Sequence, residues 1–594
     1  MTERLASVAA TVSALPASAR ERFGPRVAAR HKLAGEWLQT TYSQAADAID
    51  QLALGLIDAG IEPGDRVCIL SETRIEWTLA SYAISAAAAI AVPVYPTNSP
   101  SECEWVIGDS GARAIFCENR GQLEKIERVR GGLPELVHTI GIDPGGGELT
   151  LEELQARGRN RSADELRARQ ADVGPDDAYM IVYTSGTTGP PKGTVLSHAN
   201  GMSVCTIVRE LEFVTPDETI YLYLPLAHVF ALITQLASWD QGTALVYYGG
   251  DTSQILPELI ETKPTYLPSV PRIFEKLYAA ATAMASQAGE QERLQQAIKL
   301  GVDVRRRRQH GEPVPEHLER AFEAADAEIF TRVRALFGGR LRQAVSGAAP
   351  IAPDILEFFY AAGVPVLEGW GLTETTAVGT VGTLEHFKFG TVGRAVPGVE
   401  LRIAERDHEI LMRGPNVFSE YWRNPEATAE TLVDGWLHTG DIGELDEHGY
   451  LTITGRKKEI IITAGGKNLA PANLENDIKQ SRFVSQAVMY GDRRPYPVAL
   501  ITLDSDEIVP WARERGLPEE VAQLSHHAAV RELIQGELDR ANSRYAKVEQ
   551  IKKFAILDRD LSIANDELTP TLKVKRGVIN QRYAELFASL YESG

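Results

Sequence analysis

The sequence predicts an α/β protein with doubly wound sheets, and two patterns indicate this class. Short apolar runs alternate with helix-like segments through the first half of the chain, which is typical of a largely parallel sheet with helices on both faces. After residue 390 the pattern becomes shorter and more β-like, with Gly and Pro turns. We therefore expect a large N-terminal domain of doubly wound sheets with a β-rich subdomain, followed by a small α+β C-terminal domain.

Apolar runs bounded by turn residues or by helix-like segments mark the strands in chain order. The predicted strands are residues 67–70, 90–95, 112–117, 178–183, 219–224 and 244–248. An Ala-rich segment, 75–89, predicts a helix between the first two of them. Residues 1–19 predict an amphipathic first helix, because the stretch has few large apolar residues and Glu3 lies where a signal peptide would be basic.

The domain organisation follows from two changes of composition. Residues 276–336 are charged and rich in helix formers, so they predict a helical insertion within the large domain. A second change comes near Arg456, and beyond it lies a mixed α and β segment. We therefore expect a large domain at 1–457 and a small one at 458–594.

Charge and cysteine content exclude several classes of protein. Lys plus Arg number 61 and Asp plus Glu number 81, and the resulting net charge of −20 argues against a nucleic-acid partner. The four cysteines include no C-x-x-C pair, so neither a disulfide framework nor a zinc site is expected, and a reducing cytoplasm fits best. The longest apolar run, 84–95, is too short to cross a bilayer.

The stretch YTSGTTGPPKG, residues 183–193, predicts a loop that binds phosphates at the carboxyl end of a buried strand. Glycines let backbone N–H groups approach an anion, hydroxyls donate to it, and a lysine adds positive charge. The residues concerned are Thr184, Ser185, Gly186, Thr187, Thr188, Gly189 and Lys192. The alternatives are a flexible surface loop and a P-loop, but the P-loop pattern G-x-x-x-x-G-K-[ST] is absent because Pro191 precedes the lysine.

Four further motifs follow this loop in a fixed order: EGWGLTET at 368–375, GWLHTGDI at 435–442, TGRKKEII at 454–461 and LTPTLKVK at 568–575. Together the five resemble the adenylate-forming enzymes, a superfamily of acyl-CoA synthetases, luciferases and peptide-synthetase adenylation domains. The stretches PTYLPSVPRIFE at 264–275, TAGGKNLAP at 463–471 and LTPTLK at 568–573 resemble its long-chain fatty-acyl-CoA synthetase branch. The charged helical insertion is also typical of that branch.

The resemblance implies an enzyme that uses ATP, Mg²⁺ and CoA. A fatty-acid carboxylate would attack the α-phosphate of ATP to give acyl-AMP and pyrophosphate, and the CoA thiol would then displace AMP. Three alternatives stay open: an acyl-AMP ligase that loads a carrier-protein thiol, a CoA ligase for medium-chain or aryl acids, and a non-catalytic lipid- or nucleotide-binding relative. The basic run Arg305 to Arg308 is either a solvated helix face or a contact for anionic lipid headgroups or for the nucleotide end of CoA.

The resemblance also assigns the residues that would bind the nucleotide. Glu374 would hold Mg²⁺ and Thr373 would donate to the α-phosphate. Trp370 would stack on adenine, where the family usually has Tyr, and the segment with Gly347 and Ala348 would line the adenine pocket. Asp441 and Arg456 would hold the ribose.

A second set of residues is expected to serve the acyl group, the CoA thiol and a change of pose. His228 would lie beside the acyl carboxylate, although a lone His is often structural. Lys573, preferred to Lys575 because it directly follows a short turn, would be the adenylation lysine. Lys458 would be the hinge of a mobile small domain, and Gly465 and Gly466 would let the pantetheine arm pass. A peripheral encounter with the inner membrane face is also plausible, because long fatty acids partition into bilayers.

Overall fold

The computed structural model of the protein describes residues 9–184, 190–464, 467–569 and 572–592. The chain has a large N-terminal part built on two mainly parallel sheets, a smaller antiparallel sheet and a C-terminal α+β part. This confirms the predicted fold class.

The first part of the chain alternates between helix and strand. Its helices are α1 Leu15–Phe23, α2 Tyr42–Asp58, α3 Ile75–Ala86, α4 Pro100–Ser110, α5 Arg120–Val129, α6 Leu151–Arg159, α7 Ala163–Asp172, α8 His198–Glu210, α9 Val229–Gln241 and α10 Ile255–Thr262. Its strands are β1 Val27–Leu33, β2 Glu36–Thr41, β3 Arg66–Leu70, β4 Ile90–Val94, β5 Ala114–Cys117, β6 His138–Gly141, β7 Leu149–Thr150, β8 Ala178–Thr184, β9 Lys192–Ser197, β10 Thr219–Leu222, β11 Ala244–Tyr247 and β12 Tyr266–Ser269.

The middle part begins with the helical insertion and ends in short strands. Its helices are α11 Pro271–Gln287, α12 Gln291–Gln309, α13 Glu316–Ala325, α14 Thr331–Ala335, α15 Pro353–Ala362 and α16 Pro425–Thr431. Its strands are β13 Gln343–Ser346, β14 Val366–Trp370, β15 Thr380–Val381, β16 Arg394–Ala395, β17 Glu400–Ile403, β18 Glu409–Arg413, β19 Glu420–Tyr421, β20 Leu432–Val433, β21 Trp436–Leu445 and β22 Leu451–Arg456.

The last part is a compact α+β unit. Its strands are β23 Ile461–Ile462, β24 Asn468–Leu469, β25 Val484–Tyr490, β26 Val498–Leu503 and β27 Lys553–Ile556. Its helices are α17 Pro471–Lys479, α18 Ser505–Arg513, α19 Val521–Leu524, α20 Ala528–Asn542, α21 Arg576–Arg582 and α22 Ala584–Glu592.

Each of the six predicted strands is present, with ends that differ by one or two residues. The predicted first helix needs a correction, because residues 9–14 are not helical and α1 begins only at Leu15. Pro16 lies in its first turn, the helix position that tolerates a residue without a backbone N–H. Of the part of the chain described, no helix is long and apolar enough to cross a membrane.

Two large sheets form the frame of the molecule. Within the described residues one sheet has the order β19-β9-β8-β4-β3-β5-β6-β7 and the other the order β16-β15-β14-β13-β12-β10-β11-β1-β2. Their central strands run parallel, so the carboxyl ends of each set meet at one edge of the sheet. Ligands bind at such edges in open α/β sheets.

The two faces of the second sheet pack against different parts of the chain. Leu267, Ala344 and Val366 pack with the insertion helices α11–α14, as alternate residues of adjacent strands do when they point the same way. Tyr266 and Val345 belong to the opposite face, in the core shared with α8 and α9. The sheet therefore separates the insertion from the rest of the large domain.

The basic run at the end of α12 has partners within the chain. Arg305 donates to the Ala361 carbonyl oxygen, Arg307 pairs with Asp303 at 3.1 Å, and the guanidinium groups of Arg306 and Arg308 lie near Glu357 and Glu319. These acidic partners offset the positive charge. They favour the solvated-face interpretation over a contact with anionic lipid.

The C-terminal part lies against the large part through ion pairs. Arg272 at the start of α11 pairs with Asp504, Arg544 Nη2 lies 3.4 Å from Asp354 Oδ2, and Lys575 Nζ lies 3.7 Å from Glu102 Oε1. These contacts close one side of a cleft between the two parts.

Candidate active site

A cleft of about 1710 Å³ lies between the carboxyl ends of the large sheets and the C-terminal part. Thr184 at the end of β8, Gly347 after β13 and Trp370 at the end of β14 line one side of it, and Lys573 lines the other. The structure thus brings together residues that are almost 400 positions apart in the sequence, which the motif assignments had predicted to share a site.

Asp441 is the centre of a buried hydrogen-bonded group. Its Oδ1 accepts from Arg456 Nε at 2.8 Å and its Oδ2 accepts from Trp370 Nε1 at 2.8 Å, while the residue is only 4% exposed. Asp441 and Arg456 are direct partners in the antiparallel pair β21–β22, and the Asp441 charge raises the pKa of Arg456. A carboxylate has lone pairs for further donors, so the oxygens can still accept from a diol.

Glu374 has a partner that the sequence reasoning missed. Tyr421 Oη donates to Glu374 Oε1 at 2.6 Å, and the ammonium group of Lys192 lies 5.2 Å from the centre of the Tyr421 ring. Strand β19, which carries Tyr421, pairs with β9 directly after Lys192. Tyr421 therefore links the phosphate loop to the predicted metal ligand. No sequence pattern marks it, because it lies in a short irregular stretch 47 residues from Glu374.

The backbone around Thr373 and Glu374 is a tight turn. Residues Thr373–Thr375 form a single 3-10 turn, and a side chain at Gly371 would place its Cβ 2.2 Å from the Ala377 carbonyl oxygen. Only glycine fits there. On the neighbouring loop, Ala348 has a φ of 70°, an unusual value for a residue with a side chain. Such constrained loops hold polar groups at fixed positions.

Part of each predicted ligand loop lies outside the described residues. This applies to Ser185, Gly186, Thr187, Thr188 and Gly189 of the phosphate loop, and to Gly465 and Gly466 of the predicted pantetheine loop. Lys192 is described and begins strand β9 opposite Thr184, so it lies in the ladder of a hairpin at the loop's base.

His228 and Lys573 both line the cleft, and Lys573 affects the pKa of His228. Burial, with a smaller contribution from Lys573, lowers the pKa of His228 to about 4, so its imidazole is neutral at pH 7. His228 Nδ1 accepts from the Phe230 backbone N–H at 3.3 Å. We infer that the proton of the neutral ring is on Nε2.

Hydrogen bonds to Thr569 position the backbone of Lys573. The Thr569 N–H donates to the Lys573 carbonyl oxygen at 2.7 Å, the Lys573 N–H donates to Thr569 Oγ1 at 3.0 Å, and Leu572 has a φ of 60°. Burial and the nearby Arg456 lower the pKa of Lys573, and Asp441 opposes them. Lys575, two residues on, pairs instead with Asp566 at 2.5 Å.

Lys458 lies in an exposed turn between the two parts of the chain. Residues Lys457–Glu459 form a 3-10 turn that follows β22 directly, and Lys458 lines the cleft. Its neighbour Lys457 is held by Asp407 at 2.6 Å and by Glu409 at 3.0 Å. Lys458 therefore lies where an anchored strand gives way to the C-terminal part, as a hinge would.

Glu368 is a second residue that sequence reasoning missed. It lies on β14 two residues before Trp370 and lines the cleft. Its Oε2 is buried without a hydrogen-bond partner in the described residues, and burial raises the pKa of its carboxyl from the ordinary 4.5 to about 8. Its position in the EGWGLTET motif was visible in the sequence, but its protonation depends on burial.

Glu368→Gln is expected to stabilise the ligand-free protein increasingly as pH rises. The Glu368 carboxyl has a pKa of about 8 in the folded state and of about 4.5 in the unfolded state. Its contribution to the stability of the wild type is therefore complete below pH 4.5 and is lost as the pH rises towards 8, whereas Gln does not titrate. Between these two pH values, each pH unit changes the difference in free energy of unfolding between the variant and the wild type by about 1.4 kcal/mol. We expect the melting temperature of the variant minus that of the wild type to increase from pH 5 to pH 8.

The exposed Glu385 supplies the matched control for that measurement. Glu385→Gln makes the same chemical change at the surface, so its melting curve should follow that of the wild type at every pH. Parallel pH profiles for the wild type and Glu368→Gln would show that Glu368 is ionised in the folded protein.

Comparisons with known proteins show the family to which the chain belongs. The AMP-binding enzyme family model matches residues 17–422, and the model of the AMP-binding enzyme C-terminal domain matches residues 458–594. The long-chain-fatty-acid--CoA ligase FadD15 of Mycobacterium tuberculosis (strain ATCC 25618 / H37Rv) is 40% identical over 564 residues, covering 94% of this chain and 93% of its own.

A second curated relative and a solved structure also align along most of this chain. The long-chain-fatty-acid--CoA ligase ACSBG2 of Xenopus laevis is 31% identical over 619 residues, covering 96% of this chain and 82% of its own. The solved structure of a Mycobacterium tuberculosis fatty acyl CoA synthetase has a TM-score of 0.63 at 23% identity and covers 97% of this chain and 99% of its own, which supports the fold. Because the family model spans more than half of the chain and these relatives align along almost all of it, the protein belongs to the AMP-binding enzyme family.

Proposed function

We propose that this protein is an ATP-dependent long-chain fatty acid–CoA ligase. It converts a fatty acid and ATP into acyl-AMP and pyrophosphate, and then acyl-AMP and CoA into acyl-CoA and AMP. The observation that carries the proposal is the convergence of Lys573 with Asp441 and Arg456 in one cleft that continues into an apolar arm beside α8. The relatives FadD15 and ACSBG2, both named as long-chain-fatty-acid–CoA ligases, support the substrate class.

In the first half-reaction the acyl carboxylate attacks the α-phosphorus. A bond forms between a carboxylate oxygen and phosphorus, the α–β phosphoanhydride bond breaks, and pyrophosphate leaves with its electron pair. A carboxylate is ionised at pH 7, so the step needs positioning and charge neutralisation rather than a general base. Lys192, Lys573 and the hydroxyls of Thr184 and Thr373 supply donors to the phosphates, and neutral His228 donates its Nε2 proton to the acyl oxygen.

The nucleoside is held at the other end of the cleft. Trp370 offers its ring to the adenine, with the indole fixed by its hydrogen bond to Asp441. Gly347 and Ala348 line the edge of the adenine pocket. Asp441 accepts from the ribose hydroxyls, and Arg456 stabilises that buried carboxylate while it contacts the same sugar.

Mg²⁺ fits at Glu374. Among the described residues no cluster of three or more His, Cys, Asp or Glu side chains forms a metal cage. Magnesium is commonly bound by one or two carboxylates together with substrate phosphates and water, and Glu374 supplies such a carboxylate, with Tyr421 fixing its Oε1. When bound, the ion would neutralise charge on the phosphates.

The second half-reaction uses a different pose of the C-terminal domain. The thiolate sulfur attacks the acyl carbon, a carbon–sulfur bond forms, the bond to the AMP oxygen breaks, and AMP leaves. Gly465 and Gly466 would line the path of the thiol arm. We propose 457/458 as the domain boundary and Lys458 as the hinge between the two poses.

A substrate panel tests the proposal directly. We expect the wild-type protein to release AMP with fatty acids from C6 to C20 only when ATP, Mg²⁺ and CoA are all present, with the highest kcat/KM among the long chains. Pyrophosphate exchange without turnover of free CoA would indicate a carrier-protein acceptor instead. Preference for aryl acids in the same panel would contradict the substrate class.

A cytoplasmic location and a peripheral membrane contact stay predictions. If Arg305 to Arg308 contact anionic lipid despite their acidic partners, binding to anionic vesicles should weaken with salt.

A further inference from the structure

The apolar arm of the cleft, which we name the acyl branch, has two walls. The helical wall consists of Val204 and Val208 on one face of α8 and of Leu211 at its C-cap. The other wall consists of Tyr266 and Val345 on one face of the neighbouring sheet and of Val270 directly after β12. The spacing i, i+4 places Val204 and Val208 on a single face of the helix. The inference below rests on the proposed function, because it concerns the fatty acid that this branch would hold.

The topology fixes the direction and depth of the branch. Val270 lies at the carboxyl end of β12, next to Gly347, whose N–H donates to the Ser269 carbonyl oxygen at 3.2 Å. Tyr266 begins the same strand, so it lies about 13 Å deeper at about 3.3 Å per residue. The helical wall from Val204 to Leu211 is about 10 Å long. The branch therefore runs from the nucleotide site towards the amino end of β12.

Two aromatic rings close the deep end. Phe213, just after α8, meets Tyr266 edge to face with ring centroids 5.9 Å apart, and both residues are buried. The Phe213 carbonyl oxygen accepts from Arg342 Nη2 at 3.0 Å and from Gln343 Nε2 at 2.8 Å. These two hydrogen bonds therefore hold the backbone that carries the Phe213 ring.

The protein residues on the far side of the ring pair from the cleft are polar. Arg342 Nε donates to Glu218 Oε1 at 2.7 Å, and Glu218 is buried. A longer alkyl chain would have to displace the rings and separate the buried Glu218 carboxylate from the half-buried Arg342, which is costly when a buried charge is left unpaired. The branch therefore cannot be extended at this end without a change in the rings.

We infer that Phe213 and Tyr266 form the floor of the acyl branch and set the longest fatty acid that the enzyme activates. The sequence contained no sign of this pair, because its members are 53 positions apart and nothing in the stretch 264–275, which contains Tyr266, connects it to Phe213.

Two substitutions, one that lengthens the acyl branch and one that shortens it, test the inference. Phe213→Ala removes part of the floor, so the ratio of kcat/KM for an acid about two carbons longer than the wild-type optimum to that for the optimum should rise by at least about tenfold. Val208→Phe fills the middle of the branch, so the optimum should move to shorter chains. Both profiles are measured as AMP release over acids from C6 to C20.

Control variants separate specificity from stability. Phe322→Ala removes a ring of the same size from the buried Phe322–Phe330 pair in the insertion, away from the cleft, and should leave the chain-length profile unchanged. If Phe213→Ala does not fold, Phe213→Leu should give the same direction of shift with a smaller amplitude.

The outcomes distinguish a failure of the inference about the floor from a failure of the proposed function. Folded Phe213 and Val208 variants with the wild-type chain-length profile, or with an equal loss at every length, would overturn the floor while leaving the ligase activity in place. A wild-type protein that is inactive with every acid would overturn the proposed function and the inference with it.

Discussion

Glu374→Gln is expected to slow acyl-adenylate formation by about 10²-fold or more. The substitution keeps the size of the side chain and removes the charge that would hold Mg²⁺ at the phosphates, and the loss of one preorganised electrostatic group costs about this much. The Tyr421 hydroxyl can still donate to the amide oxygen, so the local structure should persist. The measurement is fatty-acid-dependent ATP–pyrophosphate exchange at saturating ATP and Mg²⁺.

Two further variants, one with a smaller expected loss and one with none, serve as comparisons for that result. Tyr421→Phe removes the hydroxyl that donates to Glu374 but keeps the Glu374 charge that would hold the metal, so its exchange rate should fall less than that of Glu374→Gln. Glu420→Gln changes an exposed carboxylate on the same short strand and should exchange like the wild type. Near-normal exchange by Glu374→Gln would mean that another group binds the metal.

Lys573→Ala should separate the two half-reactions. Lys573 lines the cleft from the C-terminal part and lies close enough to His228, Asp441 and Arg456 for their charges to interact. We expect the variant to lose about 10²-fold or more in acyl-AMP formation, because it lacks the cation at the phosphates. It should still convert supplied acyl-AMP and CoA into thioester, because that step uses a different pose of the domain.

Lys575→Ala is the control for this experiment. Lys575 pairs with Asp566 and approaches Glu102 rather than the Asp441 group, so its removal should leave adenylation within a few fold of the wild type. Gly466→Leu, in the segment outside the described residues, should have the reverse phenotype, with normal exchange and no thioester formation. Parallel loss of both activities in folded Lys573→Ala and Gly466→Leu would favour a single static site.

The sequence by itself determined the fold class, the positions of six strands along the chain and the location of the motifs. These depend on local patterns: apolar runs of strand length, glycines where the backbone must turn, and polar residues directly after buried strands. Asp441 and Arg456 could be assigned to one site because each lies in its own recognisable motif. The start of α1 was less predictable, since a helix boundary depends on the few residues around Pro16.

Tertiary structure alone decided which distant residues meet and what charge they carry. Tyr421 lies against Glu374, and Phe213 against Tyr266, because strand pairing and helix packing bring together segments that have no common pattern. The register of β21 on β22 sets Asp441 opposite Arg456. Glu368 keeps its proton because burial removes water from its carboxyl. Desolvation depends on all the neighbours of a group, and those neighbours exist only after the chain has packed.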